Sequence, residues 1–131
     1  MPKAGKSLLL DSSVIIAGFK KDKQVLDALN LAHSLYVPVI AYGELYTGAL
    51  KSANPEKKLQ QLATFMDATA ILDVDWQTAQ HYGQVRKKLE QKGRPIPEND
   101  IWIAALSIQY DLTLYVRDQH FEEIENIDLL Q

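Results

Sequence analysis

The sequence predicts an α/β protein, a three-layer α/β/α sandwich around a mostly parallel sheet of about four to five strands. Three observations carry this. Short apolar runs alternate along the chain with longer amphipathic stretches, the pattern of βαβ units. Several of those stretches are long enough to cross from one parallel strand to the next. The 131 residues, 47% of them hydrophobic, suffice for one domain with its own core, taken as residues 1–131.

Ser7–Asp11 reads as a buried strand and Ser12–Phe19 as a short helix. Lys23–Ser34 is helical by the recurrence of Val25, Leu26, Leu29 and Ala32. Tyr36–Val39 is a second strand, with Pro38 near its end, and a helix follows from Val39 to Ser52. Asn54-Pro55-Glu56 starts the next helix, with a capping side chain, a proline at the first turn and an acid facing the positive helix end; it runs to about Asp67. Ala70–Val74 is a third strand. Asp75 caps a long helix that ends at Gly93, where the residue type suits a left-handed C-terminus. Arg94-Pro-Ile-Pro is a rigid loop, and Asn99 or Asp100 opens a helix with Ile101, Ala104, Ala105 and Ile108 on one face. Leu112–Arg117 is a fourth strand and Ile127–Leu130 a short fifth.

Composition narrows the chemistry. Without cysteine, disulfides and thiolate metal sites are both excluded, so any metal is bound by oxygen or imidazole. The opening segment has only a three-leucine run before Asp11, too short for a signal-peptide core or a membrane span, so the cytoplasm is the expected compartment and no membrane partner is expected. A net charge of −3 argues against a protein that simply coats nucleic acid. Basic residues nonetheless concentrate at Arg86, Lys87, Lys88, Lys92 and Arg94, which read either as a solvated helix face or as a phosphate-contacting strip.

In an open parallel sheet, ligands bind beyond the carboxyl ends of the strands. Asp11 ends the first strand and Asp118 follows the fourth. Glu44 lies early in the helix after the second, and Asp100 opens the helix that runs down to the fourth. The topology sends all four acids to one rim. Their contexts are apolar: Leu-Leu-Leu before Asp11, Ile-Trp-Ile-Ala-Ala after Asp100, and around Glu44 a stretch from Leu35 to Leu50 with no other charge. Such contexts imply burial, and buried acids are rare unless paired or bound to metal. Taken singly, Asp100 also reads as a helix N-cap and Asp118 as a turn-and-cap residue. It is their joint placement that points to a site.

Two carboxylates about 5 Å apart repel by roughly 3 kcal/mol at an effective dielectric near 20. Four together would exceed the usual net stability of a domain, so the cluster needs cations. Arg117 is the only basic residue nearby in sequence, which leaves a divalent metal. All-oxygen ligation suits Mg²⁺ or Mn²⁺, and such ions serve phosphodiester hydrolysis by a metal-activated water. Asp11, Glu44, Asp100 and Asp118 are therefore the candidate catalytic and metal-binding residues. Ser12 is a candidate for a water-mediated metal or phosphate contact, and Arg94 and Arg117 are candidate substrate contacts.

At these residues the sequence resembles the PIN-domain family and, within it, the VapC-type toxins of bacterial toxin–antitoxin pairs. The resemblance rests on four pieces in order: Leu-Leu-Leu-Asp-Ser-Ser-Val-Ile-Ile-Ala, Tyr-Gly-Glu-Leu-Tyr-Thr-Gly-Ala, Lys-Gly-Arg-Pro-Ile-Pro-Glu-Asn-Asp-Ile-Trp-Ile-Ala-Ala-Leu and Leu-Thr-Leu-Tyr-Val-Arg-Asp-Gln-His-Phe. It implies a PIN-like fold and an Mg²⁺- or Mn²⁺-dependent endoribonuclease acting on RNA, tRNA or another structured RNA. It also implies a homodimer, and a cognate antitoxin that blocks the site. By resemblance Asp11, Glu44 and Asp100 match the family's metal-binding acids, and Asp118 its more variable fourth position. Ser13 stands where many members have asparagine, and Val116 where threonine or serine is common; neither change removes a carboxylate. A catalytically inactive PIN-like binding module is the alternative, although all four acids remain. A phospho-accepting receiver domain fits poorly, because the first strand lacks an extra acid pair and Arg117-Asp118 stands in place of a lysine.

The remaining polar and aromatic residues have ordinary expectations. His33 and His81 belong to helix edges, and His120, two residues past Asp118, reads either as a phosphate contact or, preferably, as local packing with Phe121. Trp102 belongs to the core or a dimer contact, and Tyr42, Tyr46 and Tyr82 are candidates for an apolar dimer face.

Overall fold

The computed structural model describes residues 5–131. Residues 1–4, the first part of the segment read as too short for a leader, lie outside the described residues. The chain forms β1 (Ser7–Leu10), α1 (Ser12–Phe19), α2 (Lys23–Leu31), β2 (Ser34–Pro38), α3 (Val39–Leu50) and α4 (Pro55–Met66). It continues with β3 (Ala70–Leu72), α5 (Trp76–Lys92), α6 (Glu98–Tyr110), β4 (Thr113–Tyr115), a 3-10 helix (Gln119–Glu123) and β5 (Leu129–Leu130). The strands make one sheet in the order β3-β2-β1-β4-β5, every pairing parallel. No helix among the described residues is long and apolar enough to cross a membrane.

Burial along β1 shows why the architecture has three layers. Leu8, Leu9 and Leu10 are all buried. Successive strand residues point to opposite faces, so helices must cover both faces of the sheet. The helix α6 is buried nearly all round, from Ile101 through Ile103 to Ser107, as befits a helix in the middle of a layer. Its far end is tied to the start of α5. Asp75 caps α5 by accepting from the Thr78 backbone at 2.9 Å, and the Thr78 hydroxyl donates to Asp75 at 3.1 Å or Gln109 Oε1 at 2.5 Å, while Gln109 donates to Asp75 at 3.1 Å. Gly93 ends α5 with φ 66, as its position after the last helical turn predicts.

Element boundaries depart from expectation where tertiary pairing competes with local pattern. The expected helix over Lys23–Ser34 stops at Leu31, because Ser34 is claimed by β2, where it pairs with Ser7 and the two hydroxyls meet at 2.7 Å. The strands β3 and β4 are shorter than their apolar runs, although the Val116 N–H still donates to Leu130 O at 3.0 Å. Helix α6 opens at Glu98 rather than Asn99 or Asp100. Pro97, which has no N–H to leave unpaired, precedes it, and its carbonyl accepts from Asp100 N at 3.0 Å. Asp100 is therefore a first-turn residue and not the N-cap.

Candidate active site

The carboxyl edge of β1 and β4 meets the N-terminus of α6, and an open cleft there is lined by Asp11, Ser12, Ser13, Ile16, Glu44, Pro97, Glu98, Asn99, Asp100 and Asp118. Asp11 leaves β1 in extended conformation and serves as the N-cap of α1, with only 6% of its surface exposed. Its Oδ2 accepts from the Ser13 hydroxyl at 2.5 Å and the Ser13 N–H at 3.3 Å. The same hydroxyl accepts from Arg117 N at 3.4 Å, tying the turn after β1 to the chain leaving β4. Ser13 thus supplies a polar group that fixes the first carboxylate.

Glu44 departs from expectation. Its apolar surroundings in sequence implied burial, but the side chain is exposed. The apolar stripe of α3 is Ala41, Leu45 and Ala49, and Glu44 lies off it, toward the cleft. It accepts from the Ser12 hydroxyl at 3.4 Å.

Asp100 and Asp118 arrive from opposite directions. Asp100 projects from the first turn of α6 with a side chain 15% exposed. Burial pushes its carboxyl up to about 6, the Asp11 charge adds to the rise and Asp118 contributes further, while the His120 hydrogen bond pulls the other way. Asp118 caps the 3-10 helix, accepting from the His120 N–H at 2.9 Å. Its turn-and-cap role and its place on the rim therefore coexist.

His120 stands closer to the acids than the preferred expectation of local packing gave it. Its imidazole does not merely pack beside Phe121: Nδ1 lies 3.0 Å from Asp118 Oδ1 and 3.2 Å from Asp100 Oδ2. The potential ligand atoms of Asp100, Asp118 and His120 lie within 4.8 Å of one another. The available signal was the Asp-x-His spacing at a strand's carboxyl end.

Among the described residues no lysine or arginine pairs with the acids of this cluster, and His120 is the one basic side chain beside them. The Arg117 guanidinium turns to Asp22, 2.7 Å away, and the Val25 N–H together with that pair holds the Asp22 carboxyl below its ordinary range. Arg94 faces Glu123 at 4.0 Å and is not among the cleft-lining residues. The rest of the basic strip is largely engaged as well: Arg86 with Glu90 at 3.0 Å and Glu98 at 3.3 Å, Lys88 with Glu125 at 4.0 Å, and Lys92 with Glu123 O at 2.7 Å. Tyr82 donates to Glu98 and stacks on Trp102 with ring centroids 4.1 Å apart, so both aromatics brace the α5–α6 pair. The structure thus brings Asp11, Ser12, Glu44, Asp100 and Asp118 to one cleft and leaves the Arg94 and Arg117 side chains outside it. A carboxylate-rich donor set with one imidazole, and with no lysine or arginine paired to it among the described residues, fits a divalent cation.

Comparison with known proteins agrees with this geometry. The PIN domain family model matches residues 8–127. Ribonuclease VapC2 of Haemophilus influenzae is 35% identical over 99 residues, covering 74% of this chain and 75% of its own. The tRNA(fMet)-specific endonuclease VapC of Salmonella typhimurium is 33% identical over 122 residues, covering 91% of this chain and 92% of its own. The structure of VapBC2 from Rickettsia felis, bound to a DNA fragment from its promoter, superposes with a TM-score of 0.88 at 27% identity, over 95% of this chain and 97% of that one. Fold, cleft and relatives agree, and the chain belongs to the PIN-domain family, among its VapC-type ribonucleases.

Proposed function

We propose that the protein is a toxin endoribonuclease that hydrolyses RNA phosphodiester bonds with a bound Mg²⁺ or Mn²⁺. In this reading it acts in the cytoplasm as a homodimer, and a cognate antitoxin restrains it. The observation that carries the reading is the convergence of Asp100, Asp118 and His120 donor atoms within 4.8 Å, beside buried Asp11, with no lysine or arginine paired to them among the described residues. Asp11, Glu44, Asp100 and Asp118 would hold the ion. When bound, it would supply Lewis-acid activation of water and neutralise charge on the scissile phosphate.

The chain's own residues set the stage for that chemistry. Ser13 locks one oxygen of Asp11, and among the described residues no donor reaches its Oδ1. Ser12 orients Glu44 and offers the cleft a hydroxyl for a water-mediated contact with the RNA phosphate. His120 holds the Asp100 and Asp118 carboxylates together across two chain segments, so they need not be assembled when substrate arrives. Arg94 and Arg117 reach RNA only by exchanging their present partners, Glu123 and Asp22. The RNA substrate, in this reading a tRNA or another structured RNA, and the antitoxin are carried over from the VapC relatives.

The test is cleavage of a tRNA mixture and a mixed RNA pool by purified protein in Mg²⁺, Mn²⁺ or EDTA, with Asp11→Asn purified identically as the contamination control. Metal-dependent products that vanish in the variant support the reading. Equal cutting by wild type and variant, or in EDTA, overturns it.

A further inference from the structure

We propose that a trough leading out of the acidic cleft, between α1, α3 and α4, is the track on which a single-stranded segment of the RNA substrate lies, its phosphates held by Lys20, Lys57 and Lys58. The proposal rests on the ribonuclease reading and adds to it where the substrate runs.

The trough is continuous with the cleft. Ile16 and Glu44 line the acidic cleft and also line a neighbouring apolar pocket that includes Lys20, Leu45 and Leu62. Phe19, Lys58 and Gln61 of that pocket also line a longer groove that reaches Lys57 and Phe65. The three cavities are one path beginning at the acids.

Its charge is opposite to that of the cleft. Beyond Glu44, no acid lines the trough. Lys20, Lys21, Lys57 and Lys58 are all exposed, and none forms an ion pair among the described residues. Asp22, beside Lys20 and Lys21 in the chain, is occupied by Arg117 at 2.7 Å, and Glu56, which adjoins Lys57, does not line the trough. By contrast, the strip from Arg86 to Arg94, the densest basic run in the sequence, spends most of its charge on Glu90, Glu98, Glu123 and Glu125. A chain of net charge −3 therefore keeps unpaired lysines beside the groove that opens onto its acids. An acidic cleft repels a phosphodiester, and a flanking cationic rim offsets that repulsion and directs the strand inward.

The floor of the trough is apolar. Ile16 is 43% exposed, and the Phe19 and Phe65 rings meet edge to face at 5.6 Å. An apolar floor beneath a lysine rim suits unstacked bases with a tracked backbone, whereas a duplex would present mainly phosphates and 2′-hydroxyls.

The experiment measures binding of a short fluorescent single-stranded RNA across a salt series, in EDTA to prevent cutting, for wild type, Lys20→Gln/Lys57→Gln/Lys58→Gln and the control Lys87→Gln/Lys88→Gln. Each phosphate left without its lysine lowers the slope of log affinity against log salt by about 0.7, so the trough variant should fall by about 2 in slope. At about 0.15 M salt that is a loss on the order of 50-fold in affinity. With Mn²⁺, its KM for longer RNA should rise while kcat is kept, and the control should match wild type. Wild-type binding with an unchanged slope in the trough variant overturns the track and leaves the ribonuclease reading standing. Equal losses in both variants also overturn it, because they show diffuse charge attraction. If wild type neither binds nor cuts any RNA, the ribonuclease reading fails and the track fails with it.

Discussion

His120 Nδ1 lies 3.2 Å from Asp100 Oδ2, joining the segment after β4 to the first turn of α6 across twenty positions of sequence. The same nitrogen reaches Asp118 at 3.0 Å, so one imidazole organises two of the four rim acids. Groups that orient metal-binding carboxylates typically contribute about 10–100-fold to metal affinity. His120→Ala should therefore weaken Mn²⁺ binding by about tenfold or more, measured by calorimetric titration, with an unchanged far-UV spectrum. Wild-type affinity in that variant would reduce His120 to local packing.

The rim should make the metal-free protein less stable as pH rises. Burial and the neighbouring acids raise the Asp100 carboxyl from 3.8 to about 6 in the folded chain. A raised acid binds its proton more tightly folded than unfolded, so the cost is absent below about pH 4. It grows as pH rises to about 6 and is then constant; the full rise corresponds to about 3 kcal/mol at most. Melting in EDTA should show this decline between about pH 4 and 6.5, and Asp100→Asn should flatten it and melt higher than wild type at about pH 7. Saturating Mn²⁺ should raise the wild-type melting temperature more at about pH 7 than at about pH 5. A metal-free profile that rises through this window would contradict the electrostatic account of the cleft.

Thr78 is fully buried where α5 is tied to the far end of α6. Thr78→Val preserves shape but leaves Gln109 and the Asp75 backbone N–H without their hydroxyl partner. It should cost about 1–3 kcal/mol in denaturant unfolding. Because the effect is on stability rather than on the rim, cleavage at room temperature should stay near wild type.

Much of this molecule is legible in its sequence because strand ends and helix starts are local signals. Leu-Leu-Leu-Asp puts Asp11 on the rim as soon as the sheet is read as parallel, and Asn54-Pro55 and Asp75 cap the helices they announce. Features that depend on distant partners are harder to see. The burial inferred for Glu44 fails because the inward stripe of α3 is Ala41, Leu45 and Ala49, a choice set by what α3 packs against. The strip from Arg86 to Arg94 looks free until the fold brings Glu123 and Glu125 beside it. His120 looks like a neighbour of Phe121 until Asp100 arrives from another helix. The lysines of the trough are scattered at the end of α1 and the start of α4, so no run of sequence displays them.

The measurement that bears most directly on the four-acid site is RNA cleavage in Mn²⁺ by Asp11→Asn, Glu44→Gln, Asp100→Asn and Asp118→Asn, each checked for folding by its melting curve. All four variants should fold. Losses should be on the order of 100-fold or more for the first three and smaller for Asp118→Asn. A folded Asp11→Asn or Asp100→Asn protein that cleaves at the wild-type rate would contradict the four-acid site and place the chemistry elsewhere.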